Sequence, residues 1–265
     1  MTTSTKSKKK LVGDLKPRLH SPWLKGKSRV EEVEKFAESI GMPLLAWQSL
    51  ILKDMLTVDS KNMFIKRSIL LLIARQSGKS HLARMRVLAG LFCFGEKDIL
   101  IMSSNRSMAL KSFNIMVDII ERNAFLLAQL KGGSVKKGVY RTNGQERIIL
   151  ESGGQIEVVA ATSDGARGRT ADLLWIDELR EVSEVAMDAS KSVTLTRPNS
   201  QRIFTSNAGD AFSKVLNDLH EHVLVIRQSL WDSTNTLPLH SVISGIVRLG
   251  LWQTPVLVIL SMKAQ

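Results

Sequence analysis

Gly78-Lys79-Ser80 stands where a run of mostly branched apolar residues, Arg67–Ala74, gives way to a stretch of helix formers, Lys79–Phe94. A strand–turn–helix junction of that kind suits a phosphate group. Backbone N–H groups converge in the turn, and the helix N-terminus adds positive potential. Gly78 lets the chain pass close to an anion. Lys79 reaches for the β- and γ-phosphates of a nucleoside triphosphate, and Ser80 offers its hydroxyl to Mg²⁺. The first glycine of the usual G-x-x-x-x-G-K-[ST] pattern is absent, because Ile73 occupies its place. Taken alone, the segment also reads as an ordinary turn with a surface lysine.

A second constellation makes that plainer reading a coincidence. Leu173-Leu174-Trp175-Ile176 is an apolar strand that ends in Asp177-Glu178. At a strand tip beside a phosphate loop, Asp177 holds the Mg²⁺ shell, and Glu178 orients and deprotonates the attacking water. The competing role for both acids is to cap the helix that follows, where negative charge is favoured.

The elements that must position these groups can be read from patterning. Helices are expected over Val30–Ser39, Leu44–Leu56, Lys79–Phe94, Ser107–Leu130 and Ala211–His220. Buried strands are expected at Arg67–Ala74, Asp98–Ser103, Leu173–Ile176 and Arg202–Ser206, and a hairpin joins Arg147–Glu151 to Gln155–Ala161 through Ser152-Gly153-Gly154. Alternating strands and helices predict an α/β fold with a mainly parallel sheet covered on both faces.

Charge is unevenly spread. Residues 1–30 hold nine Lys/Arg against Asp14 alone, a net +8 that leaves only +4 of the chain's +12 for the other 235 residues. Lys6–Arg29, with Pro17, Pro22 and Gly26, reads as a mobile basic arm that either contacts nucleic acid or stays solvated. The opening residues lack the apolar segment of a secretory signal. Val242–Met262 is apolar but interrupted by Arg248, Gln253 and Pro255, too short a clean stretch to span a bilayer. One cysteine, Cys93, excludes disulfides within the chain and is expected as a buried structural thiol. The five histidines show no metal-ligand spacing, and His81 is expected on a helix surface.

The order of these motifs resembles the large terminase subunit of tailed bacteriophages over roughly residues 40–220. That family's phosphate loop lacks the first glycine and bears an early basic residue, as in Arg75-Gln76-Ser77-Gly78-Lys79-Ser80. Gly165-Ala166-Arg167-Gly168-Arg169, followed by Ala171-Asp172 and the Asp177-Glu178 strand, is similar to its approach to the acidic pair. Thr205-Ser206-Asn207-Ala208-Gly209 resembles its coupling motif, and Leu45-Ala46-Trp47-Gln48 the segment whose glutamine reads adenine.

The resemblance implies a P-loop NTPase of the additional-strand, catalytic-glutamate type, using ATP and Mg²⁺ to move double-stranded viral DNA into procapsids. It assigns nucleotide contacts to Gln48, Arg75, Gln76, Ser77, Gly78, Lys79 and Ser80, and Mg²⁺ to Ser80 and Asp177. Catalysis falls to Glu178, Lys79 and Arg167, the last as an arginine finger on a neighbour's ATP, with Arg169 as the alternative. Coupling falls to Thr205, Ser206 and Asn207. Implied partners are viral DNA, the portal protein, a small terminase subunit and further copies in a ring. The implied place is the host cytoplasm, transiently at the procapsid portal, outside the finished virion and away from membranes. A helicase would need further motifs and a second motor lobe, neither of which is found. A third reading is a decayed domain that binds DNA or nucleotide without turnover.

The family usually continues into a nuclease domain with clustered acids. Residues 221–265 hold five charged residues, Glu221, Arg227, Asp232, Arg248 and Lys263, and no acidic cluster. Read one base back, the codons of Trp231–Pro238 and of the region around Leu249–Val258 can spell strings resembling the family's passage into that half. The expectation is therefore a basic arm (1–30), an ATPase domain (31–220) and a poorly ordered atypical tail (221–265). The tail would arise by frameshift near His220–Glu221 or by truncation, and the chain would have no endonuclease activity. A divergent helical tail is the alternative.

Overall fold

The computed structural model describes residues 15–17, 19–142, 144–221 and 256–260. Its strands are β1 (Leu19–His20), β2 (Ser68–Leu72), β3 (Asp98–Ser103), β4 (Val139–Tyr140), β5 (Arg147–Ile149), β6 (Gln155–Ala160), β7 (Leu173–Asp177), β8 (Gln201–Ser206) and β9 (Val256–Leu260). Its helices are α1 (Val30–Ser39), α2 (Ala46–Met55), α3 (Lys79–Phe92), α4 (Arg106–Arg122), α5 (Ala124–Leu127), α6 (Val135–Gly138), α7 (Ser163–Ala166) and α8 (Glu184–Lys191), followed by a helical segment at 214–221.

The strands form one sheet in the order β1-β9-β2-β8-β7-β3-β6-β5-β4. Pairing is parallel from β9 to β6 and antiparallel at β1, β5 and β4. Every residue of β2, β7 and β8 is buried. That explains their near-continuous apolar runs, because a central parallel strand is covered on both faces. Side chains alternate between two cores. Ile69, Leu71, Trp175 and Ile203 face α1–α4, whereas Leu70, Leu174, Ile176 and Phe204 face α8 and the 214–221 segment.

The α/β expectation holds, with several local departures. The long helix expected over Ser107–Leu130 breaks at Asn123, whose extended backbone (φ −116°, ψ 101°) separates α4 from α5. Helix at 211–213 is replaced by a turn that Asp210 organises through the Phe212 N–H and the Ser213 hydroxyl. Cys93 is exposed rather than buried, because it caps the C-terminus of α3 where the helix leaves the core.

The described part of the basic arm is docked. Lys66 and Asp54 form an ion pair with side chains 1% and 2% exposed. The pair completes its hydrogen bonding with the arm: Lys66 Nζ donates to Ser21 Oγ and the Pro22 carbonyl, and Asp54 Oδ1 accepts from the Leu24 N–H at 2.7 Å. A buried pair that must satisfy all its donors and acceptors supplies a reason for these arm residues to settle there. Of the atypical tail, 222–255 and 261–265 lie outside the described residues. Val256–Leu260 is strand β9, parallel to β2.

Candidate nucleotide site

The strand order places β8 between β2 and β7. The phosphate-loop strand and the acidic strand are therefore not neighbours, and their carboxyl ends are bridged by the end of β8. Crevices at the carboxyl ends of parallel strands are where α/β folds bind ligands.

The loop leaves β2 through two left-handed residues, Gln76 (φ 60°) and Gly78 (φ 91°). Left-handed residues alternating within a turn give the backbone form that gathers N–H groups into an anion-binding concavity. Glycine at 78 is required twice over, since a Cβ there would also lie 2.9 Å from Gln48 Nε2. Gln48 is fully buried; its amide donates to the Gly78 carbonyl at 2.9 Å and accepts from the Leu45 N–H at 2.8 Å. Sequence resemblance assigns Gln48 to adenine. In this structure its contacts brace the loop from below and cap the start of α2. Arg75 and Gln76 are exposed at the mouth, and Ser77 and Ser80 are half-buried. His81, expected on the surface, is half-buried, with its ring 3.3 Å from the Pro43 carbonyl.

Lys79 opens α3 and is buried. Its Nζ lies 3.1 Å from Glu178 Oε1 and donates to Asn207 Oδ1 at 2.7 Å. The Asn207 amide in turn lies 3.4 Å from both Glu178 oxygens. Glu178 itself is left-handed (φ 53°, ψ 52°). That conformation is strained for a non-glycine residue and typical of functional turns. It swings the chain off β7 directly after Asp177.

Three consecutive residues at the end of β8 support three different parts of this cluster. Thr205 donates to Asp177 Oδ1 at 2.6 Å while accepting from Trp175 Nε1 at 2.8 Å. Ser206, on the opposite face, accepts from the Arg180 N–H at 3.2 Å and so holds the chain after Glu178. Asn207 touches Lys79 and Glu178. Strand alternation produces this division.

Asp177 is buried, and burial raises its pKa, as does the neighbouring Glu178 charge; the Thr205 hydrogen bond and Lys79 oppose the rise. Its second oxygen takes no hydrogen bond among the described residues. That oxygen and the Ser80 hydroxyl are hard donors suited to Mg²⁺. No group of three or more His, Cys, Asp or Glu gathers among the described residues. A metal here would depend on phosphate oxygens and water, as Mg²⁺ commonly does.

Two cations escaped the sequence reading. Arg180 Nε stands 3.4 Å from Glu178 Oε2 and gives the glutamate a second positive neighbour. Arg84, one turn along α3 from Ser80, has its pKa lowered by burial, with the Asp177 charge in opposition. Their only signal was position, two residues after Glu178 and four after Ser80.

The two finger candidates are separated. The Arg167 side chain is 73% exposed and makes a 3.5 Å ion pair with exposed Asp164. Arg169 is committed to Glu157 through two hydrogen bonds of 3.0 and 3.2 Å. Neither is in the Lys79–Glu178 cluster of this chain.

Comparison with solved structures shows the same fold in the HK97 bacteriophage large terminase, at TM-score 0.61 and 20% identity. The match covers 76% of this chain but 42% of that protein. The Thermus phage P74-26 large terminase ATPase domain matches at TM-score 0.52 and 19% identity, over 68% of this chain and 71% of that one. No curated protein sequence matches. The model of the family described as "Terminase large subunit, T4likevirus-type, N-terminal" matches residues 70–226, more than half of the chain and all of the site above except Gln48, and the chain belongs to that family.

Proposed function

We propose that the chain is the ATPase of a viral DNA-packaging motor, hydrolysing ATP to move double-stranded DNA into a procapsid. The observation that carries this reading is the Lys79–Asn207–Glu178 cluster beside Asp177, at the carboxyl end of a parallel sheet.

Without nucleotide, Lys79 neutralises Glu178. A triphosphate seated on the 75–80 loop offers Lys79 a denser negative charge. Lys79 then turns to the phosphates, and Glu178 is left with Arg180 and the Asn207 amide. The freed carboxylate can accept a hydrogen bond from water and take its proton as attack on the γ-phosphorus proceeds. Mg²⁺, when bound through Ser80 and Asp177, would offset charge on the phosphate oxygens. Asn207 senses which partner Lys79 has. Because Thr205 and Ser206 are its chain neighbours, a change at Asn207 is passed to the end of β8. That is a physical route from hydrolysis to movement.

Arg167, exposed on its glycine-flanked loop, suits a guanidinium presented to a neighbouring copy's nucleotide, where a planar, permanent charge matches the spread charge of the transition state. Double-stranded viral DNA, a portal, a small subunit and a ring of copies are the proposed partners.

ATP turnover by the full chain, compared with Glu178→Gln and Lys79→Ala, tests the reading. Turnover in the parent and its loss in both variants is the expected result. Equal rates in parent and Glu178→Gln would remove Glu178 from the mechanism.

A further inference from the structure

The sheet edge beyond β6 carries positive charge with little to answer it. Residues 129–147 contain Lys131, Lys136, Lys137, Arg141 and Arg147 against Glu146 alone. Glu146 is buried and committed to Arg106, and Arg147 is paired with Glu157. Lys131, Lys136 and Lys137 are exposed, and none makes an ion pair or hydrogen bond among the described residues. Arg141 is also exposed and donates to Asn114 Oδ1 on α4 at 2.7 Å. Exposed Lys111 lies one helical turn before Asn114.

The fold gathers these groups. The turn at Lys131–Gly133 packs on α6, and α6 on β4 and β5. The Lys137 side chain lies across Gly132, where a Cβ would come within 2.5 Å of Lys137 Cδ. Gly132, Gly133 and Gly144 are all left-handed, with φ of 62°, 61° and 83°. They keep the edge free of side chains that would hold a broad ligand away. Among acids, Glu151 accepts from the Gly132 N–H at 2.7 Å, and α4 carries exposed Asp118 and Glu121. Lysines also protect sheet edges from unwanted strand pairing. Here, however, they sit on the turn and on α6 beside the edge, not within β4.

We propose that this edge, centred on Lys131, Lys136, Lys137 and Arg141, contacts the phosphate backbone of duplex DNA. Resting on the reading of the chain as a DNA motor, it places the grip away from the nucleotide groups, since β3, β6 and β5 separate β4 from β7. Unpaired cations spread along a glycine-lined ridge suit a polyanion's repeating charge. A protein partner would favour an apolar centre, and residues 131–141 present a single exposed ring, Tyr140.

The test uses the full chain and a short fluorescein-labelled duplex, with anisotropy titrated over a range of KCl concentrations. Three proteins are compared: the parent, Lys131→Gln/Lys136→Gln/Lys137→Gln, and Lys8→Gln/Lys9→Gln/Lys10→Gln in the arm. The edge variant is expected to bind about tenfold or more weakly, with a log K against log salt slope flatter by roughly 2 to 3, as for three lost phosphate contacts. An unchanged slope and affinity in the edge variant overturns the proposal. So does loss in the arm variant alone, or a parent that binds no duplex. ATP turnover of the same preparations reports separately on the motor reading. It should be equal in parent and edge variant, because these lysines touch no nucleotide group.

Discussion

Lys79 Nζ and Glu178 Oε1 lie 3.1 Å apart although ninety-nine positions separate them in the chain, and Asn207 bonds to Lys79 and stands against Glu178. On the proposed function, the pair keeps the lysine that would meet phosphate and the carboxylate that would activate water mutually occupied until something more strongly charged than Glu178 arrives.

Glu178→Gln should therefore separate binding from chemistry. Turnover should fall by about 10²-fold or more with the base removed. ATP affinity should hold or rise, because Lys79 no longer leaves an anion to reach the phosphates. Fluorescent-nucleotide binding beside a phosphate-release assay checks this; parallel loss of affinity and rate would contradict the exchange.

Gly78→Ala should destabilise the protein by about 1–3 kcal/mol, from the left-handed backbone (φ 91°) and the 2.9 Å approach to Gln48. Gln48→Ala should relieve the crowding but leave the Gly78 carbonyl without its donor. Urea denaturation of both single variants and the double variant measures the coupling. Strict additivity would mean that Gln48 does not brace the loop.

Asp54→Ala should cost about 3–5 kcal/mol by leaving Lys66 buried without an anion. Burial already lowers the Lys66 pKa against the pull of Asp54. Residues Ser21–Leu24 should become cleavable by protease in that variant. Asp54→Leu/Lys66→Met should recover most of the stability but leave the arm cleavable, since the arm's partners are gone.

Cys93 is exposed, yet burial of the thiol, followed by the charge of Glu32, pushes its pKa up to about 11. Alkylation by iodoacetamide should be slow near neutral pH and climb about tenfold per pH unit toward that value, because the thiolate is the nucleophile. A plateau near pH 9 would show an unshifted thiol.

Arg167→Ala should lower turnover with little change in thermal stability, as its ion pair with Asp164 is exposed. Arg169→Ala should do the reverse, because it leaves Glu157 with Arg147 alone. Mixing Arg167→Ala with Glu178→Gln protein should restore some turnover if the finger acts between copies. Equal melting temperatures and equal rates across the two arginine variants would remove the distinction.

The sequence by itself determined the chemistry-bearing ends of the elements. Phosphate binding demands a tight glycine turn with lysine and a hydroxyl at adjacent positions, and a buried strand announces itself by an unbroken apolar run. Both are local requirements, so Gly78-Lys79-Ser80 and Leu173–Glu178 were legible in one dimension. Only the tertiary structure decided what those ends do to each other. Inserting β8 between β2 and β7 makes Asn207 the bridge between Lys79 and Glu178, and it gives Thr205 to Asp177 and Ser206 to the chain at Arg180. The difference between Arg169, held by Glu157, and exposed Arg167 is likewise tertiary, as is the docking of the arm on a pair formed by residues 54 and 66. Such partnerships arise from strand order and register, which bring together side chains far apart in the chain without leaving any pattern in their spacing.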